Sequence, residues 1–304
     1  MEAKKIVVLY GGTSAEREVS LQSGNSIFQA LVSQGHQVQL LDYPIEFNLQ
    51  DIHHDDFIFI ALHGEDGESG QLQQRLHAEG LKFSGSGYKA CLNTWNKLRC
   101  KELLRENHIL TPAWLEVSKL SEAPSSLGDQ FFDVLRPFDS LFLKPTEEGS
   151  SIDVFKITDD SSLFNAISEC TNPNRSFVFE QSITHRELTV PILNGRCLPP
   201  IEITTNEPFY NYAAKYLSDK TKLQRFQCIE SELLILESIC LKTYEVLGCS
   251  GWARIDLLQG HSGSYYVLEV NTVPGMTSHS LFPKSASFAE IGYIELVQEI
   301  INAS

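Results

Sequence analysis

Several features that define common protein classes are missing from this sequence. The seven cysteines are an odd number with no C-x-x-C spacing, which argues against a disulfide framework or a structural zinc site and for reduced thiols in a cytoplasm. Basic residues are scarce, 24 against 39 acidic ones, so the formal net charge is -15. Because binding a polyanion needs a basic face, we expect no nucleic-acid partner.

Long apolar runs are also absent. The densest stretches, such as Phe57–Leu62, have the length of a strand, whereas a membrane-spanning helix needs about 20 apolar residues. The first residues run directly into a strand without an apolar targeting segment of their own. The sequence therefore predicts a cytoplasmic protein without a membrane partner.

The 304 residues are too many for one simple core and enough for two or three packed units. Near the start, strand-like runs alternate with helix-like patterns, which predicts a parallel sheet covered on both faces and an α/β fold class. Later segments are richer in strands and have α+β character. We predict an N-terminal domain over residues 1–95, a central subdomain over 96–186 and a C-terminal domain over 187–304.

Apolar runs and their periodicity predict the individual elements. The predicted strands are Lys5–Tyr10, Gln37–Leu41, Phe57–Leu62, Lys82–Ser84, Leu141–Lys144, Val154–Ile157, Phe177–Gln181, Leu188–Leu193, Ile201–Thr204, Gly251–Leu258 and Tyr265–Val270. The predicted helices are one with Val19, Ser23, Ile27 and Leu31 a turn apart, then Gln71–Glu79, Lys97–Glu106, Ser162–Glu169, Leu233–Val246 and Phe288–Ala303.

Two of these strands carry an unusual acidic patch. Symmetric pairing of Gly251–Leu258 with Tyr265–Val270 about the Gly260–Ser264 turn sets Asp256 opposite Glu269. The same register pairs Arg254 with Asn271, Leu258 with Val267 and Gly260 with Tyr265. Side chains two apart on a strand share a face, so one polar patch should form at the end away from the turn. The other face should pack into a core through Ile255, Leu257, Leu268 and Val270.

Opposed carboxylates about 5 Å apart repel each other, and a cation with an oxygen shell would relieve that repulsion. The oxygens of Asp256, Glu269 and Asn271, together with phosphate oxygens, suit magnesium. The alternative is a solvated polar face that Arg254 balances. The Pro274-Gly275 turn that follows can present backbone N–H groups to an anion, which favours the magnesium hypothesis.

Other candidates each have a structural alternative. Lys144 ends an apolar strand, where a solvated surface charge is less expected than for most lysines. The small residues Gly149–Ser151 could close over phosphates or simply form a hairpin turn. Glu16 begins a helix, where an acid also stabilises the dipole. His63 ends a buried strand at a glycine-rich loop, where it could contact a ligand or cap the strand.

Five blocks, in this order, resemble the D-alanine–D-alanine ligase family, whose fold is ATP-grasp with an N-terminal Rossmann-like domain. They cover nearly the whole chain and comprise Gly11–Ser20, Leu62–Gly64, Lys144–Ser151, Ala214–Asp219 and the hairpin with its tail to Ser280. The resemblance implies that ATP phosphorylates the carboxylate of one D-alanine. The amine of a second D-alanine then attacks the acyl phosphate and phosphate leaves, which supplies a peptidoglycan precursor.

The resemblance also implies a role for each matched residue. For the nucleotide these are Lys97, Lys144, Glu180, Ile183, Glu187 and Lys215. For the metal they are Asp256, Glu269 and Asn271, holding two Mg²⁺ ions for which Mn²⁺ can substitute. The catalytic set is Glu16, Ser150, Tyr216, Arg254, Gly275 and Ser280, and the substrate contacts are Glu16, His63, Lys215, Ser280 and Leu281.

Within the catalytic set, Arg254 and the N–H of Gly275 would stabilise the oxyanion of the tetrahedral intermediate. Ser150 would join a hydrogen-bonding network with Tyr216 and Glu16. The family's ligases for D-alanine have Tyr at the position of Tyr216, whereas depsipeptide-forming relatives lack it, so an amine is expected as the second nucleophile. The family also implies a possible homodimer.

Overall fold

The first strand, Lys5–Gly11, contains the apolar run Ile6–Leu9, whose residues are all buried, as expected for a strand covered on both faces. In this computed structural model, which describes residues 4–122, 140–205 and 221–304, it lies in a parallel sheet of order β2-β1-β3-β4. The strands are β1 Lys5–Gly11, β2 Gln37–Tyr43, β3 Phe57–Ile60 and β4 Lys82–Phe83.

Helices cover this sheet. The helix predicted from the spacing of Val19, Ser23, Ile27 and Leu31 is present, and all four side chains are buried. The helices up to residue 106 are α1 Arg17–Ser33, α2 Glu65–Glu68, α3 Gln71–Ala78, α4 Tyr88–Trp95 and α5 Lys97–Glu106. The segment Tyr88–Trp95 was not predicted to be helical.

A second sheet is antiparallel, with the order β5-β8-β6-β7. Its elements are β5 Trp114–Val117, β6 Leu141–Pro145, β7 Phe155–Ile157, α6 Asp160–Glu169 and β8 Phe177–Gln181. The strand Trp114–Val117 was missed from the sequence, and it pairs with β8 at the sheet edge.

The third sheet has the order β12-β11-β9-β13-β14, with β10 paired to β9. Its elements, with the helices that follow, are β9 Arg186–Leu193, β10 Arg196–Cys197, β11 Ile201–Thr204, β12 Lys222–Arg225, α7 Glu230–Val246, β13 Trp252–Gln259, β14 Tyr265–Asn271, α8 Leu281–Phe288 and α9 Tyr293–Asn302. None of the helices in the described residues is long and apolar enough to cross a membrane.

The helix predicted over Phe288–Ala303 is wrong in its extent. Helix α8 already ends at Phe288, and Glu290 then adopts a left-handed φ of 62°. Helix α9 begins only after Gly292, which has an extended conformation. A helix cannot continue through a left-handed residue, so the chain forms two helices joined by a short turn.

The β13–β14 hairpin follows the predicted register only at its polar end. Arg254 pairs with Asn271 and Asp256 with Glu269, but beyond them Leu257, rather than Leu258, pairs with Val267. A β-bulge between these pairs adds one residue to β14 and reverses its alternation. The predictions that Leu268 lies in the core and that Val267 shares the polar face are therefore wrong.

The core under the first sheet also includes the end of the chain. Trp252 at the start of β13 is 1% exposed and lies between Phe59 of β3 and Phe282 of α8, with ring centroids 6.2 and 5.1 Å apart. Helix α9 buries Leu296 and Ile300 in the same cluster. The base of the acidic hairpin is therefore packed against the N-terminal sheet.

We expect W252A to lower the free energy of unfolding by about 3–5 kcal/mol, because it removes a fully buried indole that joins the first sheet to β13 and α8. Urea unfolding followed by circular dichroism measures the change. The control is L234A on α7, whose side chain is 59% exposed and whose loss should cost far less. Equal effects of the two substitutions would contradict this account of the core.

Candidate active site

Asp256 lies at the centre of the acidic patch and is only 6% exposed. It pairs with Thr189 of β9 on one side and with Glu269 of β14 on the other. Thr189 Oγ1 donates to Asp256 Oδ1 at 2.6 Å, and Asn271 Nδ2 donates to Asp256 Oδ2 at 3.1 Å. The predicted patch therefore forms, but within a cleft and away from bulk solvent.

Arg254 also holds Asp256. Its Nε donates to Oδ1 at 2.9 Å and its terminal nitrogen to Oδ2 at 2.7 Å, in a two-point ion pair. The balancing of the patch by Arg254, which the sequence left open, is thus observed for Asp256. Because both side chains are largely buried, the pair lies at low dielectric, where the attraction between its two charges is stronger than in water.

The donor atoms of this patch fit a divalent magnesium ion. Asp256 and Glu269 are directly opposed, and Asn271 contacts Asp256. Two carboxylates and one amide supply hard oxygen donors in a small number, which leaves room for phosphate oxygens around the ion. A carboxylate that accepts from Thr189 and Arg254 is also fixed in orientation before an ion arrives.

Basic side chains lie on the opposite wall of the cleft. Lys144 Nζ contacts Glu180 Oε1 at 2.5 Å, and the other oxygen of Glu180 accepts from Lys101 Nζ at 2.6 Å. Burial by itself would raise the pKa of Glu180, but these lysines hold that pKa below its usual value. Lys97 donates to the backbone oxygen of Glu148 at 2.6 Å, and burial lowers the pKa of its ammonium.

The small-residue loop is more than a plain hairpin turn. Ser150, Ser151 and Asp153 all have left-handed φ values, between 52° and 58°, which cost free energy in residues other than glycine. Arg175 anchors the ends of the loop by donating to Glu148 at 2.8 Å and to Asp153. The hydroxyl of Ser150 is buried and has no hydrogen-bond partner among the described residues.

This loop approaches Glu16. A Cβ atom at Gly149 would lie 3.1 Å from Glu16 Oε2, so the absence of a side chain there permits the contact. Glu16 stands immediately before α1, as predicted, and its backbone N–H donates to Ser14 Oγ. The network proposed for Ser150 also includes Tyr216, which together with Lys215 and the Ala214–Asp219 block lies outside the described residues.

His63 is held by protein groups on both ring nitrogens. Its Nδ1 is 3.0 Å from the carbonyl oxygen of Val273, and its Nε2 is 3.5 Å from Ser23 Oγ. A carbonyl only accepts, so Nδ1 carries the proton. Burial lowers the pKa of His63, which keeps the ring neutral. The imidazole thus connects the segment after β3 to the segment that follows β14, residues 272–280, here called the β14 tail.

The β14 tail forms a tight turn before α8. Ser280 Oγ accepts from the backbone N–H of Thr277 at 3.0 Å and bonds its hydroxyl at 2.8 Å. A Cβ atom at Gly275 would lie 2.8 Å from Ser280 Oγ, so glycine permits this close approach. Leu281, the first residue of α8, is buried.

Most of these groups line one cleft of about 620 Å³ between the sheets, whereas Lys101, Thr189 and Arg175 do not line it. Every predicted site residue in the described ranges lies on its wall, namely Glu16, His63, Lys97, Lys144, Ser150, Glu180, Ile183, Glu187, Arg254, Asp256, Glu269, Asn271, Gly275, Ser280 and Leu281. Residues that come from distant parts of the sequence are thus brought together in space.

Three residues near the cleft were not singled out from the sequence. Glu68 lines the cleft, and burial together with Glu16 raises its pKa to about 8. Thr189 bonds Asp256, and Lys101 bonds Glu180. Lys101 follows Lys97 by one helical turn, a spacing that places both on one face of α5. That spacing is the signal that could have identified it.

Comparison with known proteins accounts for this arrangement. The family described as D-ala D-ala ligase C-terminus matches residues 133–302. The D-alanine–D-alanine ligase of Glaesserella parasuis is 37% identical over 306 residues, covering 100% of this chain and 99% of the relative. The chain belongs to the D-alanine–D-alanine ligase family.

Solved structures of family members have the same fold. The D-alanine–D-alanine ligase of Bacillus anthracis complexed with ATP superposes with a TM-score of 0.83 at 31% identity, covering 99% of this chain and 97% of that one. D-alanyl-alanine synthetase A of Vibrio cholerae gives 0.85 at 28% identity, with 100% and 99% covered. The ATP-grasp fold predicted from the sequence is therefore confirmed.

The buried state of His63 predicts a pH effect on stability. Its pKa is lower in the folded protein than the ordinary value of 6.5, so the unfolded chain binds the proton more tightly. The stability due to a neutral His63 is complete above about pH 6.5 and is lost as the pH falls below it, by up to about 1.4 kcal/mol per unit.

We therefore expect the free energy of unfolding to fall less steeply from pH 7 to pH 5 in H63Q than in the wild type, as measured by urea unfolding at each pH. The control is H53Q, since the side chain of His53 is 59% exposed. An unchanged pH slope in H63Q would contradict the assignment of a neutral, buried imidazole.

Proposed function

We propose that the chain joins two molecules of D-alanine into D-alanyl-D-alanine, with ATP converted to ADP and phosphate. The observation that carries the proposal is the meeting of three kinds of group in one cleft: the oxygen donors of β13 and β14, the two lysines Lys97 and Lys144, and the turn that carries Ser280. The acids suit a cation, the lysines suit phosphates, and the turn suits a carboxylate.

The phosphates of ATP would lie between the two charged walls. Lys97 and Lys144 supply positive charge on one wall, and Ile183 and Glu187 extend the same cleft towards the base and ribose. Lys215 belongs to this set by family resemblance. On the other wall, Asp256, Glu269 and Asn271 would hold Mg²⁺, two ions in the proposal, with Mn²⁺ as a substitute. When bound, the metal neutralises phosphate charge and thereby favours transfer of the terminal phosphoryl group.

The protein's own groups then direct the chemistry. Glu16 orients the ammonium of the first D-alanine, while one carboxylate oxygen of that D-alanine attacks the terminal phosphorus of ATP. Arg254 and the N–H of Gly275 stabilise the oxyanion that forms when the second amine attacks the acyl phosphate. Ser280 and Lys215 bind the carboxylate of the second D-alanine, next to Leu281 and His63.

An acyl phosphate reacts readily with water, so the site must close during the reaction. The Gly149–Ser151 loop is the part suited to this role, because its residues are small and it approaches Glu16. In the closed site, the buried hydroxyl of Ser150 would form a hydrogen bond within the network with Tyr216 that the family resemblance implies. Such closure gives positioning and exclusion of water together.

A direct test measures ADP and phosphate release with Mg²⁺ and D-alanine, then with D-serine or D-lactate offered as the second substrate. We expect fast turnover with D-alanine alone and formation of the dipeptide. Turnover that appears only with D-serine or D-lactate would identify a related ligase with another second substrate. No turnover with D-alanine under any condition would contradict the proposal.

We expect E269Q to reduce turnover by at least about a hundredfold, because it removes a negatively charged oxygen donor from the place where phosphate charge must be neutralised. The measurement is the rate of ADP release at saturating substrates, with circular dichroism to check the fold. E245Q, an exposed change on α7, is the matched control and should retain wild-type activity. Near-normal activity in E269Q would refute the metal role.

The proposal includes a cytoplasmic location, where ATP is available, and a homodimer, as the family resemblance implies. Sedimentation of the purified chain measures its mass directly against the 34.1 kDa of one copy. A species of twice that mass supports the dimer, and a single species of one copy at the concentrations used for assay contradicts it.

A further inference from the structure

Lys101 is a buried charged residue of α5 that lies beside Glu180 of the second sheet, with only 2% of its side chain exposed. Its ammonium contacts Glu180 Oε2 at 2.6 Å, Thr111 Oγ1 at 2.8 Å and the carbonyl oxygen of Pro112 at 3.3 Å. An ammonium has three N–H donors, so these acceptors use all of them. The position of this charge is fixed by the protein.

Lys101 does not reach the cleft. It is not among the residues that line the cavity, whereas Lys97, Lys144 and Glu180 are. Its Nζ instead lies 5.6 Å from the centre of the ring of Trp114, the residue of β5 that pairs with Glu180. A direct contact of Lys101 with a nucleotide is therefore not its role.

Glu180 connects Lys101 to the cleft. On the second sheet, Glu180 of β8 stands between Trp114 of β5 and Phe142 of β6. Lys144 lies two residues beyond Phe142 and so shares the sheet face of Glu180. Glu180 is 1% exposed and gives one oxygen to each lysine, with Lys144 Nζ at 2.5 Å from Oε1.

The combined charge of Lys101, Glu180 and Lys144 determines how strongly Lys144 can attract an anion. A carboxylate paired with Lys144 alone would cancel its charge and weaken its attraction for an anion. With Lys101 on the second oxygen, the group of three has a net charge of plus one, and its outward-facing cation is Lys144, which is 12% exposed. Hydrogen bonds to ionised partners are the strong ones, so the geometry is also well defined.

We propose that Lys101 is a positioning residue for the nucleotide, which acts through Glu180 to fix Lys144 and to leave its positive charge available to the phosphates of ATP. This inference rests on the proposed function, since it takes Lys144 as a phosphate-binding lysine. It assigns to Glu180 the orientation of a lysine, in addition to any contact with the base or ribose.

The test is K101M, which keeps most of the side-chain volume and removes the charge. We expect the KM for ATP and the dissociation constant for ATP to rise by about tenfold or more, by analogy with the loss of metal affinity when the hydrogen-bond partner of a metal ligand is removed. The KM for D-alanine should stay near the wild-type value, because the ammonium of Lys101 contacts Glu180, Thr111 and Pro112, none of which is assigned to D-alanine. A purely structural role would not separate the two constants.

The matched control is R105M on the same helix. The guanidinium of Arg105 lies 5.1 Å from the ring of the same Trp114 but is exposed and makes no contact with Glu180. R105M should leave the KM and the dissociation constant for ATP unchanged. K101R, which keeps a cation beside Glu180, should restore much of the affinity lost in K101M.

A double-mutant cycle with E180Q tests whether Lys101 affects the affinity for ATP through Glu180. If Lys101 acts through Glu180, K101M added to E180Q should cause little further loss of ATP affinity. Additive losses would overturn the inference, as would ATP constants in K101M equal to those of the wild type. If K101M does not fold, K101R and E180Q decide the question by the same constants.

K144M separates this inference from the proposed function. If K144M weakens ATP binding and K101M does not, the positioning role is wrong although the proposed function stands. If K144M itself leaves ATP binding unchanged, the assignment of Lys144 to the phosphates fails, and the positioning role fails with it.

Discussion

The direct pairing of Asp256 with Glu269 across β13 and β14 is the constraint on which the rest of the site depends. Two opposed carboxylates at low exposure destabilise the fold unless positive charge compensates them. Arg254 provides part of that compensation through its two bonds to Asp256. The remainder of the cleft can be understood as an arrangement of cations and anions around this pair.

The opposite wall applies the same principle with the signs reversed. There a single carboxylate, Glu180, lies between Lys101 and Lys144, so positive charge is in excess. A chain with a net charge of -15 can thus attract a polyphosphate locally, because Lys97 and Lys144 line the cleft and Lys101 offsets the charge of Glu180. Binding of a highly charged nucleotide follows from placement rather than from total charge.

Much of the fold could be predicted because the signals were local. Continuous apolar runs identified β1 and β3, and the register at the polar end of the hairpin followed from symmetry about its turn. The bulge was not predicted, because the predicted register assumed regular alternation along β14. The structure breaks that alternation: Val267 and Val270 both face the core, and Leu268 lines the cleft. The break between α8 and α9 depends on a left-handed Glu290, which no residue pattern indicates.

The site was predicted from family resemblance more than from residue chemistry alone. Charged residues that contact a ligand belong to recognisable blocks, whereas those that support them do not. Thr189 and Lys101 each act on a cleft residue from another element, at sequence separations of 67 and 79 positions from Asp256 and Glu180 respectively. Only the folded chain reveals such partners, since no local pattern relates residues so far apart.

The most direct test of the account follows oxygen from D-alanine labelled with ¹⁸O in its carboxylate. If the cleft activates that carboxylate by phosphorylation, one labelled oxygen must appear in the inorganic phosphate that is released when the dipeptide forms. We predict one ¹⁸O per phosphate by mass spectrometry in a single turnover with Mg²⁺ and ATP. Dipeptide formed together with unlabelled phosphate would contradict activation through an acyl phosphate, and with it the role given to both charged walls.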